Sequence, residues 1–339
     1  MPTPLQLLLM PWWALTLATG AKSFRDHPLI GSQRLNEAGL HVARLKIAHS
    51  MAARRRSALA SALAPDDLAQ FNRDGFVIRR NFLPPQEFAA LRTALQAWRG
   101  PAREMRQGQA ITRRMALDPA ILRALPALHA FEHNREWQAL MRYGASFAIR
   151  PMAYVQTILA GGKNGEPDPQ GTLHADAFQP SVKSWFFLDD VAEDEGPFTY
   201  VAGSNRLTPE RVAWERAMSL RACDADRLSA RGSFRIDAAE LPALALPQPL
   251  AFAVPANTLV VADTFGFHAR GGSARPSRRT EIFGYARRNP FLPWTGLDLG
   301  GIPGVAERRA TAYWAFRDRF ADRIGQPWQD AGIKGAFDR

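Results

Sequence analysis

Between Ala153 and Arg287 the chain breaks into short apolar stretches separated by Gly, Pro, Asp and Asn, and this punctuation constrains the fold more than any other feature. Strands are expected at Ala153–Leu159, Ser181–Leu188, Phe198–Val201, Leu250–Val254, Thr258–Ala262 and Thr280–Arg287. Turn-forming residues fill the gaps, as in Glu193-Asp194-Glu195-Gly196-Pro197, Gly203-Ser204-Asn205 and Pro255-Ala256-Asn257. Many short strands of this kind, preceded by helical segments, give an antiparallel barrel or sandwich with a helical layer.

One stretch within this frame bears chemistry. His174-x-Asp176 puts an imidazole and a carboxylate two residues apart, on one face of an extended strand. Both can then reach one metal ion, and together they make two thirds of the facial triad of non-haem Fe(II) oxygenases. His268, just after the apolar run Val260–Phe267, is the candidate third ligand. Eleven residues further on, Arg279 can offer a bidentate fork to a carboxylate. A His-x-Asp pair alone is a common pattern; its weight comes from the order of the residues around it.

The segments ahead of this stretch read as mixed structure. Pro65-Asp66-Asp67 opens a helix to about Arg73, Gly75–Arg80 is a strand, and a helix follows from Phe88 to about Trp98. The Arg-rich residues 100–114 read as a loop or substrate-side flap suited to an anionic group such as phosphate, carboxylate or coenzyme A. Helices are expected at Pro119–Ala124 and Arg135–Tyr143, and a loop over 161–170 leads to His174. Thr208-Pro209-Glu210 caps a helix to about Leu220. Residues 222–247 read as an insertion, and the tail from Asn289 as loops and a helix on the core.

With 339 residues, 46% of them hydrophobic, the chain can bury a large core and is not of disordered composition. Its lone cysteine, Cys223, excludes an internal disulfide framework and cysteine-rich zinc or iron–sulfur sites, and a reducing cytoplasmic compartment is the simplest home. The net charge of +11 favours anionic partners. Residues 1–64 carry eight bases against two acids, and Leu5–Ala18 is strongly apolar with Trp12 and Trp13. That run is too short to span a bilayer. The arm reads either as an interfacial anchor making peripheral contact with the inner face of a membrane, or as an arm folded onto this domain or a second subunit. No nucleic-acid reader motif is present, and nucleic acid is not an expected partner. His129-Ala130-Phe131-Glu132-His133 matches H-x-x-E-H, the inverted zinc-peptidase pattern, which is a weak five-residue match.

His174-x-Asp176, Trp185-Phe186-Phe187-Leu188-Asp189-Asp190, Gly196-Pro197-Phe198-Thr199-Tyr200-Val201-Ala202-Gly203-Ser204-Asn205 and His268 followed by Arg279 together resemble the phytanoyl-CoA dioxygenase family. Asp74-Gly75-Phe76-Val77 and Asn81-Phe82-Leu83-Pro84 resemble its N-terminal part, so the likeness covers about residues 65–290. The resemblance implies an α+β, mainly β, double-stranded β-helix (a cupin-like jelly roll) with a packed N-terminal helical layer. It implies Fe(II), 2-oxoglutarate and O2, and hydroxylation of an unactivated C–H in a small-molecule or lipid/acyl substrate with release of succinate and CO2. It also implies His174, Asp176 and His268 as metal ligands, and Arg279 as the clamp for the cosubstrate's C5 carboxylate. Gln156 and Trp185 occupy positions that line the cosubstrate pocket in such enzymes. Related halogenases lack the carboxylate, so Asp176 favours hydroxylation. The small hydroxyl residue that often follows the distal histidine is displaced here, to Ser273, and Arg275 and Arg278 compete with Arg279 for the clamp. On this reading residues 1–64 are an added arm, 65–290 the oxygenase domain and 291–339 a packed extension. The rival readings are a non-catalytic jelly-roll binding protein at the membrane and the zinc peptidase.

Overall fold

The computed structural model describes residues 9–161 and 166–339; residues 5–8 of the apolar run and 162–165 of the loop before His174 lie outside them. Eleven strands are described: β1 (Phe76–Arg79), β2 (Arg99–Gln107), β3 (Ala110–Ala116), β4 (Met152–Ala160), β5 (Val182–Phe187), β6 (Phe198–Tyr200), β7 (Leu250–Ala251), β8 (Thr258–Asp263), β9 (His268–Arg270), β10 (Ser277–Ala286) and β11 (Gln329–Gly335). Eight form one antiparallel sheet in the order β1-β8-β5-β10-β4-β3-β2-β11, and β7-β6-β9 form a second. Bridges from His174 to His268 and Arg235 extend the second sheet by two short segments. The fold is the mixed α+β jelly roll expected of the resemblance.

Register decides what faces the site. Glu281 of β10 stands opposite Gln156 of β4, which stands opposite Arg114 of β3. Arg279 and Phe283 lie on the same face as Glu281 by the two-residue period, as do Trp185 and Lys183 across on β5. The alternate residues, among them Val155, Phe186, Val261 and Ile282, face the other way and are buried. Against them pack the helices Pro65–Asp74, Pro85–Ala97 and Arg135–Ala145, through Phe71, Leu91, Leu95, Trp137 and Met141. Each such side chain contributes roughly 1.5–3 kcal/mol by leaving water.

Two expectations are corrected. Residues 100–114 are no flap but most of the β2–β3 hairpin, closed by a two-residue turn with Gly108 at φ +56°. Arginines at four of these positions hide the strand alternation, and two of them are ion-paired: Arg103 with Asp318, and Arg113 with Glu104. The tail adds strand β11 to β2, so β10 is not the last strand. Residues 222–247 pack into the core, with Phe234, Ile236, Leu241 and Leu244 buried beside Leu173 and Phe267.

The N-terminal arm runs through the helix Leu40–Leu59, and three of that helix's four arginines, Arg44, Arg55 and Arg56, point inward. Arg44 donates to the carbonyls of Leu17, Thr19 and Ala21, and Arg55 to those of Ser146, Pro290 and Leu292. Arg56 donates to the carbonyls of Tyr143 and Gly144 and pairs with Asp263 at 2.7 Å. Three of the eight basic charges of residues 1–64 are therefore spent inside the protein. The exposed apolar side chains of the arm include Leu9, Trp12 and Leu15. Among the described residues, no helix is long and apolar enough to cross a membrane.

Candidate metal centre

Three segments meet at the opening of the jelly roll. The His174 strand is held on one side by β9, through reciprocal backbone bonds between His174 and His268 at 3.0 Å each. On the other side Ala175 donates to Phe234 and Ile236 to Leu173. The turn that delivers His268 is fixed from below: Tyr200 donates to the Asp263 carbonyl at 2.8 Å, and Asp263 Oδ1 accepts from Phe265 N. A Cβ on Gly266 would lie 1.9 Å from the Tyr200 hydroxyl, so only glycine fits there. Arg56 of the arm holds the buried Asp263, which ties residues 1–64 to the geometry of the site.

The imidazoles are pre-oriented. His174 Nδ1 bonds the Thr172 carbonyl at 2.8 Å and His268 Nδ1 the Gly266 carbonyl at 2.9 Å. A carbonyl only accepts, so each Nδ1 carries the proton and each Nε2 offers a lone pair. Asp176 Oδ1 lies 3.9 Å from His174 Nε2 and 3.7 Å from His268 Nε2. His268 Nε2 is buried with no hydrogen-bond partner, an orphan of the kind that a metal ion satisfies. Among the described residues, this is the only group of three potential ligands whose donor atoms converge, all within 4.8 Å of one another. Two neutral nitrogens and one carboxylate oxygen fit Fe(II) in both donor type and charge.

Electrostatics keep the donors ready. Burial first, then the neighbouring His268, lowers His174 to about 3, and burial lowers His268 to about 4. Both rings are therefore neutral at physiological pH. Burial alone would raise Asp176, but Lys183 and the two imidazoles outweigh it and hold the carboxyl well below its ordinary range. Lys183 Nζ lies 2.6 Å from Asp176 Oδ2, leaving Oδ1 turned to the imidazoles.

Two cavities flank the triad. The first, about 230 Å³, includes His174 and His268 in its wall, with Arg279, Gln156, Trp185 and Arg270 further along. Arg279 donates through Nε to Glu281 at 2.9 Å and through Nη1 to the Gly196 carbonyl at 2.5 Å, and its Nη2 has no partner among the described residues. Glu281 also accepts from Gln156 Nε2 at 2.6 Å, and Gln156 Oε1 from Arg114 Nε at 2.7 Å. Trp185 stacks on Phe198 at 4.0 Å. The second cavity, about 390 Å³, has Asp176, Lys183, Lys22 and Arg287 in its wall.

The structure thus brings together all six residues singled out in the sequence. Arg275 pairs with Asp194 and Glu195 at the surface and Arg278 with Asp189, and neither lines the first cavity. Ser273 bonds the Arg275 carbonyl instead of entering it. Residues that sequence reading did not assign to the site are Arg270, paired with Asp168 and donating to Thr112, and Lys183 and Lys22. A lysine or arginine alone in a strand or an arm carries no spacing signal for such a role. The H-x-x-E-H pattern does not form a site. Glu132 is held by Arg150 at 2.6 Å, the two histidine rings stack at 4.2 Å, and His133 Nδ1 bonds the His129 carbonyl.

Residues 71–227 match the family model described as phytanoyl-CoA dioxygenase (PhyH). No curated protein matches the chain. Among solved structures, the chain is similar to the non-haem α-ketoglutarate-dependent carbocyclase SnoK from nogalamycin biosynthesis, at 17% identity and a TM-score of 0.43, over 68% of this chain and 85% of that one. It is also similar to HygX from Streptomyces hygroscopicus with nickel and 2-oxoglutarate bound, at 18% identity and a TM-score of 0.41, over 66% and 87% of the two chains. EctD from S. alaskensis with bound Fe gives 14% identity and a TM-score of 0.38, over 66% and 76%. The matched segment contains His174 and Asp176, so this part of the chain is similar to the phytanoyl-CoA dioxygenase family at the two residues that begin the triad.

Proposed function

We propose that the protein hydroxylates an unactivated C–H bond of a small-molecule or acyl substrate, with His174, Asp176 and His268 holding Fe(II) and Arg279 holding 2-oxoglutarate. The observation that carries this reading is the orphaned, buried His268 Nε2 converging with His174 and Asp176 at the edge of a cavity that also contains Arg279. When bound, iron with O2 supplies the oxidising power, and 2-oxoglutarate leaves as succinate and CO2.

The chain's own residues do the rest. Arg279, fixed by Glu281 and Gly196, turns its remaining donor to the cosubstrate's far carboxylate. Gln156 holds Glu281 in place, so that Arg279 keeps one orientation. Trp185 and Phe198 close the apolar side of the cavity and exclude water. Lys183 holds Asp176 ionised and in one rotamer. In this division residues 65–290 form the oxygenase domain, with 1–64 and 291–339 as additions to it.

Purified protein with Fe(II) should release succinate from 2-oxoglutarate. The variant Arg279→Ala should raise the apparent KM for 2-oxoglutarate roughly ten- to a hundredfold, the worth of one charged hydrogen-bonding group, with metal affinity retained. An unchanged KM would remove Arg279 from the role, and Arg270→Ala would be the next variant.

The peripheral membrane contact we propose for the arm uses the exposed Leu9, Trp12 and Leu15 rather than the helix Leu40–Leu59. Sedimentation with anionic vesicles should drop on the double change Trp12→Ser, Leu15→Ser. Failure of the intact protein to sediment would dispose of the idea.

A further inference from the structure

The second cavity differs from the first in what its charges lack. Lys22, Lys183, Arg114 and Arg287 face it, and Asp176 is its only carboxylate. That carboxylate is a metal ligand in the reading above. With Lys183 paired to Asp176 and Arg114 shared with the first cavity, Lys22 and Arg287 are the positive charges left to this one. Arg287 makes no hydrogen bond or ion pair among the described residues. Lys22 Nζ donates to the Asp176 backbone carbonyl, and the only carboxylate that attracts it, Asp176, is already paired with Lys183. Arg287, Lys183 and Arg235 all lie close enough to repel it. Gathering like charges in a recess costs free energy that a bound anion returns.

We infer that this chamber is the substrate site and that Lys22 of the arm and Arg287, just past β10, form an anion subsite in it that binds a carboxylate or phosphate on the substrate. The inference rests on the oxygenase reading of the triad. Leu228, Phe283 and Tyr285 complete the wall, so the body carried by the anion meets apolar surface. Two segments outside the common fold thus shape the chamber, the arm through Lys22 and the insertion through Leu228. Arg114 and Phe283 border both cavities and mark where substrate and cosubstrate adjoin. An anion held between Lys22 and Arg287 would fix the rest of the molecule beside Asp176 and the metal.

The test is calorimetric titration of the full chain, loaded anaerobically with Fe(II) and saturating 2-oxoglutarate, with inorganic phosphate and with acetate at fixed ionic strength. At least one anion should bind, and the tighter of the two tells a phosphate substrate from a carboxylate one. Lys22→Gln and Arg287→Gln should each weaken that binding roughly tenfold, with 2-oxoglutarate affinity changed by less. Arg287 is exposed, so its variant leaves the core untouched. The inference is overturned if neither anion binds below roughly 10 mM, or if the double variant binds as tightly as the parent. Loss of 2-oxoglutarate binding by the parent, with phosphate binding still dependent on Lys22, would instead overturn the oxygenase reading and leave the subsite standing.

Discussion

Replacing His268 by alanine should reduce metal-dependent succinate release to background while leaving the protein folded. The imidazole contributes one hydrogen bond to its surroundings, Nδ1 to the Gly266 carbonyl, worth about 1 kcal/mol. Its Nε2 contributes none and is buried. The backbone pairing of β9 with β6 and with His174 does not involve the ring. The variant therefore loses a ligand rather than a structural element, and the remaining imidazole and carboxylate cannot hold the ion in one geometry. Thermal melting separates the two effects. Fe(II), or Mn(II) as a redox-silent substitute, should raise the Tm of the parent by mass action, and a chelator should reverse the rise. The variant should melt within a few degrees of the metal-free parent and show no metal-induced shift. A retained shift would mean that the ion sits elsewhere.

Glu215→Ala should be among the most destabilising single changes outside the site, at about 3–5 kcal/mol. Glu215 is fully buried on the helix Pro209–Arg221, where it accepts from Arg211 at 3.0 Å and pairs with His41 at 2.8 Å. Arg211 in turn donates to the Ser204 and Phe265 carbonyls and lies between the rings of Phe265 and Phe267. Removing the carboxylate leaves a buried guanidinium unpaired, directly beneath the turn that presents His268. Burial pushes Glu215 up, but the His41 hydrogen bond and Arg211 prevail and hold it below 4.5. A carboxyl held low in the folded state adds stability that is fully present above its ordinary value. That stability is lost as pH falls through the folded one. Denaturant melts across this acid range should show a slope in the parent that is shallower in the variant. Equal slopes would mean that the ion pair is not a source of acid sensitivity.

How much of this was legible depended on whether a residue's role was local. The strands of the core could be read because turns punctuate them and their apolar content is high. The cap of the helix Pro209–Arg221 was legible for the same reason, and Thr208 does accept from Arg211 N. Strands β2 and β3 are hidden because Arg103, Arg106, Arg113 and Arg114 fill positions where alternation would show, and the partners of Arg103 and Arg113 lie as far away as Asp318 and Asp338. For Arg114 the compensation is aromatic: its guanidinium sits 4.5 Å from Phe283, 4.6 Å from Trp328 and 4.8 Å from Tyr154. The basic arm misled in the same way. Charge along a helix suggests a solvated or lipid-facing surface, whereas Arg44, Arg55 and Arg56 are consumed by backbone carbonyls and Asp263, residues far off in sequence. The metal triad was visible because two of its members sit at strand spacing. Lys22 and Arg287 have no such relation, and only the folded chain places them in one recess.

Anaerobic addition of Fe(II) and then 2-oxoglutarate to the purified protein tests the assignment of His174, Asp176 and His268 most directly, read by visible absorption. One iron per chain and a new charge-transfer band that appears only with both components, and is absent from His174→Ala and His268→Ala, is the expected result. No band in the parent under saturating conditions, or a band of equal strength in both variants, would contradict it.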